Sequence, residues 1–259
     1  MNDLLWRGVF TLAIAVSVWL LHRSIGHYPE PWPRREAPGR DLGRVLLLWI
    51  VAMVVPMMRM TVFTPWLEGV LTDRNMRELV QLPLLSIPYL ALPLLLVVGR
   101  NGWTRRELGL TLNTRSPQTA FFALGFGFIS GVVPLLSGQA VIGVEPLPLG
   151  TLLLLLYNND FLEEFFHRGV IQSLLERALG QKAAIIWGGV LFGLTHVAFD
   201  INRLAASGVT FILFALLLQT LAGWFLGIVY MKTRSLWPGV ACHYLANWLP
   251  ALVKTLPGN

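Results

Sequence analysis

Apolar positions in this chain form long runs separated by shorter polar stretches, and eight of the runs approach the length an α-helix needs to cross a bilayer. A hydrocarbon core about 30 Å thick takes roughly 20 helical residues. The runs are Leu4 to Leu21, Val45 to Met58, Leu79 to Gly99, Thr119 to Ser137, Leu149 to about Leu175, Ala183 to Phe199, Gly208 to Met231 and Leu236 to Leu252. The second is short, and the fifth is interrupted by charge. Polar, Arg-rich segments from His22 to Arg44 and from Arg100 to Pro117 punctuate the series. The pattern predicts an all-α polytopic membrane protein with about eight transmembrane helices, forming a single integral membrane domain over residues 1–259. The first run lacks a small-residue cleavage site, which predicts a retained span rather than a signal peptide. No internal repeat is visible.

With eight spans the connections alternate sides, and the positive-inside rule assigns them. The 1–2, 3–4, 5–6 and 7–8 connections hold most of the Arg and Lys, including Arg23, Arg34, Arg35, Arg40 and Arg44 in the first of them. Both termini are therefore expected to face away from the cytoplasm.

Composition supports a lipid environment. Hydrophobic residues make up 55% of the 259 and charged residues only 13%, against about 25% charged in soluble domains. Disorder and collagen-like repeats are excluded, and the lone Cys242 rules out an internal disulfide framework. The net charge of +6 is dispersed between apolar runs rather than gathered in one stripe, which argues against nucleic acid as a partner. The strong Arg-over-Lys bias suggests a GC-rich, bacterial genome, and hence an inner (cytoplasmic) membrane.

Ionisable residues inside a span cost roughly 2.5 to 3.5 kcal/mol each on insertion scales and need a partner or a wet cavity. Here they concentrate late in the chain. The fifth span carries Asn158, Asn159, Asp160, Glu163, Glu164, His167 and Arg168, the sixth carries His196, and the eighth carries His243 and Asn247. On a helix Glu164 and Arg168 lie four residues apart and can pair, whereas Glu163 is rotated by about 100°. Arg168 can thus hold one carboxylate and leave the other for chemistry. His243 and Asn247 share one helix face and can meet His196 in a common cavity. The bland alternatives are a helix-locking Glu164–Arg168 pair and a hydrogen-bonded core His196. A second carboxylate beside the first, with no cation at helical spacing, is hard to explain structurally. Asp160 sits one turn before Glu164, where it would extend the cluster, but solvation at a helix end is the favoured reading; Gln219 is expected to hydrogen-bond between helices.

Several hydrolytic chemistries fail on pattern. A rhomboid-type serine protease wants Gly-x-Ser-Gly, but Gly127 to Gly131 has one residue too many. A presenilin-type aspartyl site wants Gly-x-Gly-Asp, but Phe128 follows Gly125, Phe126 and Gly127. Cys242 diverges from His243 by 100° on a helix, and buried lone cysteines are usually inert. A zinc site is a closer contender. Glu163 to His167 is His-Glu-x-x-His with its first His replaced, and Glu163, His196 and His243 would make a Glu-His-His ligand set.

Three segments together resemble the CAAX prenyl endopeptidase and bacteriocin-processing (CPBP) family, also called the Ras-converting enzyme family. Its Glu-Glu-x-x-x-Arg motif is matched by Glu163, Glu164 and Arg168. Its Phe-x-x-x-His motif is matched by Phe192 and His196, and its His-x-x-x-Asn motif by His243 and Asn247. The likeness covers about Leu149 to Leu252, the expected catalytic core at 149–252, with a weaker one in Trp103 to Leu112. The resemblance implies an eight-helix intramembrane endopeptidase that needs no metal or other cofactor. Carried over, Glu163 is the general base, His196 assists it, His243 and Asn247 stabilise the oxyanion, and Glu164 with Arg168 supports the geometry. The implied substrate is a membrane-anchored or lipidated protein or peptide, met within the bilayer. Two readings stand beside it: a zinc-dependent intramembrane metallopeptidase, and a catalytically idle immunity or regulatory protein. A transporter would be expected to show an inverted repeat. Helix positions put the site in the cytoplasmic half of the membrane.

Overall fold

Eight helical rods are present among the residues described in the computed structural model, which are 3–112, 114–137, 149–199 and 209–255. They are α1 (Asp3–Arg23), α2 (Pro38–Val70), α3 (74–99), α4 (Pro117–Ser137), α5 (149–179), α6 (Gln181–Phe199), α7 (Val209–Thr233) and α8 (Trp237–Thr255). No strand occurs among the described residues. The Pro38–Val70, Leu79–Gly99 and Phe211–Thr233 helices are long and apolar enough to cross a membrane, and Gly8–Arg23 and Pro117–Val133 are shorter apolar helices. Each apolar run has its helix, and the chain is an α-helical integral membrane protein.

The second helix is far longer than its apolar run. Pro38 stands in its first turn, where a missing N–H costs nothing. The rod then passes Pro56 and a π-helical turn at Arg59–Phe63 before ending at Val70. In α3, Pro83, Pro88 and Pro93 each remove a backbone donor, and π-helical turns at Ile87–Ala91 and Leu95–Gly99 open the helix around them.

The fifth helix runs through the middle of the bundle. Every residue from Leu162 to Ala178 is buried, and α2, α3, α6, α7 and α8 pack around it. Glu163 and Glu164 lie on a short α-helical piece, Leu162–Glu164, flanked by π-helical stretches at Leu156–Phe161 and Phe165–Gln172. No proline explains these stretches. π-Turns of this kind are frequent at functional sites.

Small residues bring the neighbouring helices close. A Cβ on Gly127 would lie 2.5 Å from the carbonyl oxygen of Cys242, and one on Gly131 would lie 2.4 Å from that of Leu245. The Gly127-to-Gly131 spacing that falls short of a serine-protease motif is thus a packing seam between α4 and α8.

The 1–2, 3–4, 5–6 and 7–8 connections meet at one end of the molecule, as alternation requires. Lys232, at the end of α7, donates to the carbonyls of Leu21, Ile25 (2.8 Å) and Gly26 (3.1 Å), so it caps the C-terminus of α1. Arg177 pairs with Glu107 at 3.0 Å and lies 3.9 Å from the Trp103 ring centroid, and Arg35 reaches the same carboxylate at 2.9 Å. Burial alone would raise the Glu107 carboxyl. The Thr104 amide and hydroxyl, with Arg177 and Arg35, outweigh it and hold the group below its ordinary value. Leu236 donates its N–H to Gly109, whose φ of +71° suits glycine. The Trp103-to-Leu112 stretch is therefore a wedge between α5 and the α7–α8 link.

Candidate functional site

Glu163, on the central helix, faces His196, near the end of α6. The carboxylate Oε2 and the imidazole Nε2 are 3.9 Å apart, and both side chains are largely but not wholly buried. The other imidazole nitrogen, Nδ1, lies 3.0 Å from the carbonyl oxygen of Phe192. A carbonyl only accepts, so Nδ1 carries the hydrogen and, in a neutral ring, Nε2 presents its lone pair. Two acceptors then face each other at a separation too long for a direct hydrogen bond. A water about 2.8 Å from each oxygen and nitrogen fits that spacing and has a hydrogen for both.

The second carboxylate is held differently. Arg168 Nε lies 3.4 Å from Glu164 Oε2, so the expected i, i+4 pair forms, and both side chains are buried. The guanidinium also lies 4.2 Å above the Phe192 ring and 3.5 Å from the carbonyl of Gly223. On the far side, Glu164 Oε1 lies 3.3 Å from His243 Nδ1. The Phe192 ring centroid is 4.5 Å from that of His196 and 6.4 Å from that of His243, so this one ring lies beside both histidines. The structure thus brings Glu163, Glu164, Arg168, His196, His243 and Asn247 into one cluster from α5, α6 and α8.

One expectation is overturned. Asp160 is not a solvated helix-end residue: it is 0% exposed, because α5 begins at Leu149 and runs through it without a break. Its Oδ1 accepts from Asn247 Nδ2 at 3.2 Å and its Oδ2 from Trp248 Nε1 at 3.1 Å. His243 Nδ1 lies 3.9 Å away. The alternative reading of its spacing holds: one helical turn before Glu164, Asp160 extends the cluster.

The remaining candidates also find places. His167 is buried, edge-on to Phe166 and Phe192 at 5.0 Å. Cys242 is buried behind the Gly127 seam. Gln219 borders, with His196, Gly193, Ala215 and Leu216, a small, partly open depression between α6 and α7. Among the described residues, no three His, Cys, Asp or Glu side chains are grouped to hold a metal ion. The cluster lies near the middle of its helix. Glu164 is twelve residues, at most about 18 Å, from Glu176 at the Arg-rich end, and fifteen residues, about 22 Å, from Leu149.

No curated protein and no solved structure matches the chain. A family model does, over residues 145–249, which run from just before α5 into α8; it is described as type II CAAX prenyl endopeptidase Rce1-like. That segment contains Glu163, Glu164, Arg168, Phe192, His196, His243 and Asn247, all seven positions of the three motifs. With those side chains gathered at the centre of a helical membrane bundle, residues 145–249 are similar to the CAAX-type intramembrane proteases that this family model describes.

Proposed function

We propose that the protein is a glutamate-dependent endopeptidase that cuts a membrane-anchored or lipidated polypeptide with water activated between Glu163 and His196. The observation that carries this reading is the Glu163 carboxylate facing the His196 imidazole at 3.9 Å. Glu163 takes a proton from the water as its oxygen attacks the scissile carbonyl carbon. The carbonyl electron pair moves onto oxygen, where His243 and the Asn247 amide donate to it. Collapse breaks the C–N bond, and the proton held by Glu163 passes to the leaving amine. Glu164, between Arg168 and His243, keeps its charge compensated while it positions the second histidine.

The test is cleavage of a tagged peptide library, including prenylated C-terminal peptides, by purified protein in detergent. Defined single-bond products would support the reading; a library left intact would favour an idle regulator.

Two expected results separate this mechanism from its neighbours. Cleavage should persist in strong chelators, and the purified protein should hold no stoichiometric zinc, because the first His of His-Glu-x-x-His is absent and His243 Nδ1 is turned toward Glu164 and Asp160. One equivalent of zinc, with chelator-sensitive activity restored by metal, would establish the metallopeptidase instead.

We further place the Arg-rich end in the cytoplasm, with water reaching the cluster from that side. In a Cys242→Ser background, Ala246→Cys, on α8 between His243 and Asn247, should react with a small membrane-impermeant thiol reagent added to the cytoplasmic face. Labelling only from the other face would reverse the orientation and point to exported substrates.

A further inference from the structure

Resting on the peptidase reading above, we infer that Asp160 is the positioning residue that sets which end of the Asn247 amide, and which nitrogen of His243, faces the substrate. The two ends of an Asn side chain are almost identical in shape, so the partner decides between them. A carboxylate accepts and does not donate, so Asp160 Oδ1, 3.2 Å from Asn247 Nδ2, holds the NH₂ end in place. That commits one of the two amide N–H bonds and leaves the second, fixed in the amide plane, to donate to a developing oxyanion. A flipped amide would offer an acceptor there and repel the same charge.

The carboxylate is itself fixed. Trp248 donates to its other oxygen at 3.1 Å, and the group is sealed from solvent. His243 Nδ1 lies 3.9 Å from Asp160 Oδ1 and 3.3 Å from Glu164 Oε1, so both carboxylates draw a hydrogen on that nitrogen and favour the imidazolium, whose Nε2–H is left to donate to the substrate. Asp160 and Glu164, one turn apart on α5, thus grip His243 and Asn247, one turn apart on α8.

The experiment compares Asp160→Asn, the double variant Asp160→Asn with Asn247→Asp, and the Glu163→Gln control, on the peptide that the wild type cleaves. An amide at 160 has one acceptor for two donors, Asn247 and Trp248. In the single variant kcat should fall on the order of 10- to 100-fold, as it does when groups orienting catalytic ligands are removed, with KM little changed. In the double variant the hydrogen bond re-forms with its polarity reversed. Thermal stability should recover while kcat stays low, because a carboxylate at 247 repels the oxyanion.

Wild-type kcat in Asp160→Asn, or a swap that restores kcat along with stability, would overturn the positioning role while Glu163→Gln stays dead. Cleavage unaffected by Glu163→Gln would overturn the peptidase mechanism itself, and the role of Asp160 with it. Should the single variant fail to fold, a folded and active double variant overturns the inference and a folded, inactive one supports it.

Discussion

Replacing Glu163 with Gln should reduce peptide cleavage to background while the protein stays inserted and folded. The substitution keeps the shape of the side chain and removes only its ability to take a proton. A positioned general base contributes typically about 10² to 10⁴ in rate, and here the same group also returns the proton to the leaving amine, so the loss falls at the upper end. His196→Ala should act on the same water and lose activity comparably. Asn247→Ala should be milder, with about 10² to 10³ lost and residual turnover still measurable, since one oxyanion donor of two remains. Steady-state cleavage of a single purified peptide, with thermal unfolding recorded for each variant, checks the series. Near-normal turnover in Glu163→Gln would remove the general base from the mechanism.

Much of this arrangement was legible before any coordinates. Apolar runs near 20 residues locate all eight helices, because lipid leaves no other way to satisfy a buried backbone. The cluster was legible for a related reason: charged groups are too costly in a span to be present by accident, so Glu163, Glu164, His196 and His243 stand out against Leu and Phe. Helix ends were less legible. A run of hydropathy stops where lipid stops, whereas the hydrogen-bonded rod continues; α2 extends to Val70 and α5 to Leu179. The favoured reading of Asp160 failed on that account, as the polar Tyr157-to-Asp160 stretch reads like a helix end and in fact lies inside one, with Asn158 and Asp160 buried. The π-helical stretches around Glu163 and Glu164 leave no trace in composition. The charged knot at the Arg-rich end was invisible too, because Glu107, Glu176 and Arg234 come from segments far apart in the chain, and each alone reads as a solvated loop charge.

That knot supports the second large effect, on stability rather than chemistry. Arg234 stands in the α7–α8 link with a φ of +55°, a conformation that a non-glycine side chain adopts only when its surroundings hold it there. Both of its terminal nitrogens meet the Glu176 carboxylate at 2.6 Å, a bidentate pair with both side chains nearly sealed from solvent. Glu176 Oε1 also accepts from the Trp32 amide and from Gln181, each at 3.3 Å, and Arg234 donates to the carbonyl of Glu30 at 3.0 Å. One carboxylate therefore ties the 1–2, 5–6 and 7–8 connections together. Glu176→Ala strands a buried guanidinium, and breaking such a pair by removing one partner costs about 3 to 5 kcal/mol. Glu176→Leu combined with Arg234→Met removes both charges, and the stranded-charge penalty with them, so its unfolding midpoint in detergent should lie above that of Glu176→Ala. Because Glu176 is twelve residues from Glu164 along α5 and touches none of the cluster, kcat measured well below the unfolding midpoint should remain at the wild-type value. A Glu176→Ala midpoint equal to wild type would mean that the pair adds nothing to the fold. A fall in kcat at full folding would mean instead that the Arg-rich end and the site move as one unit.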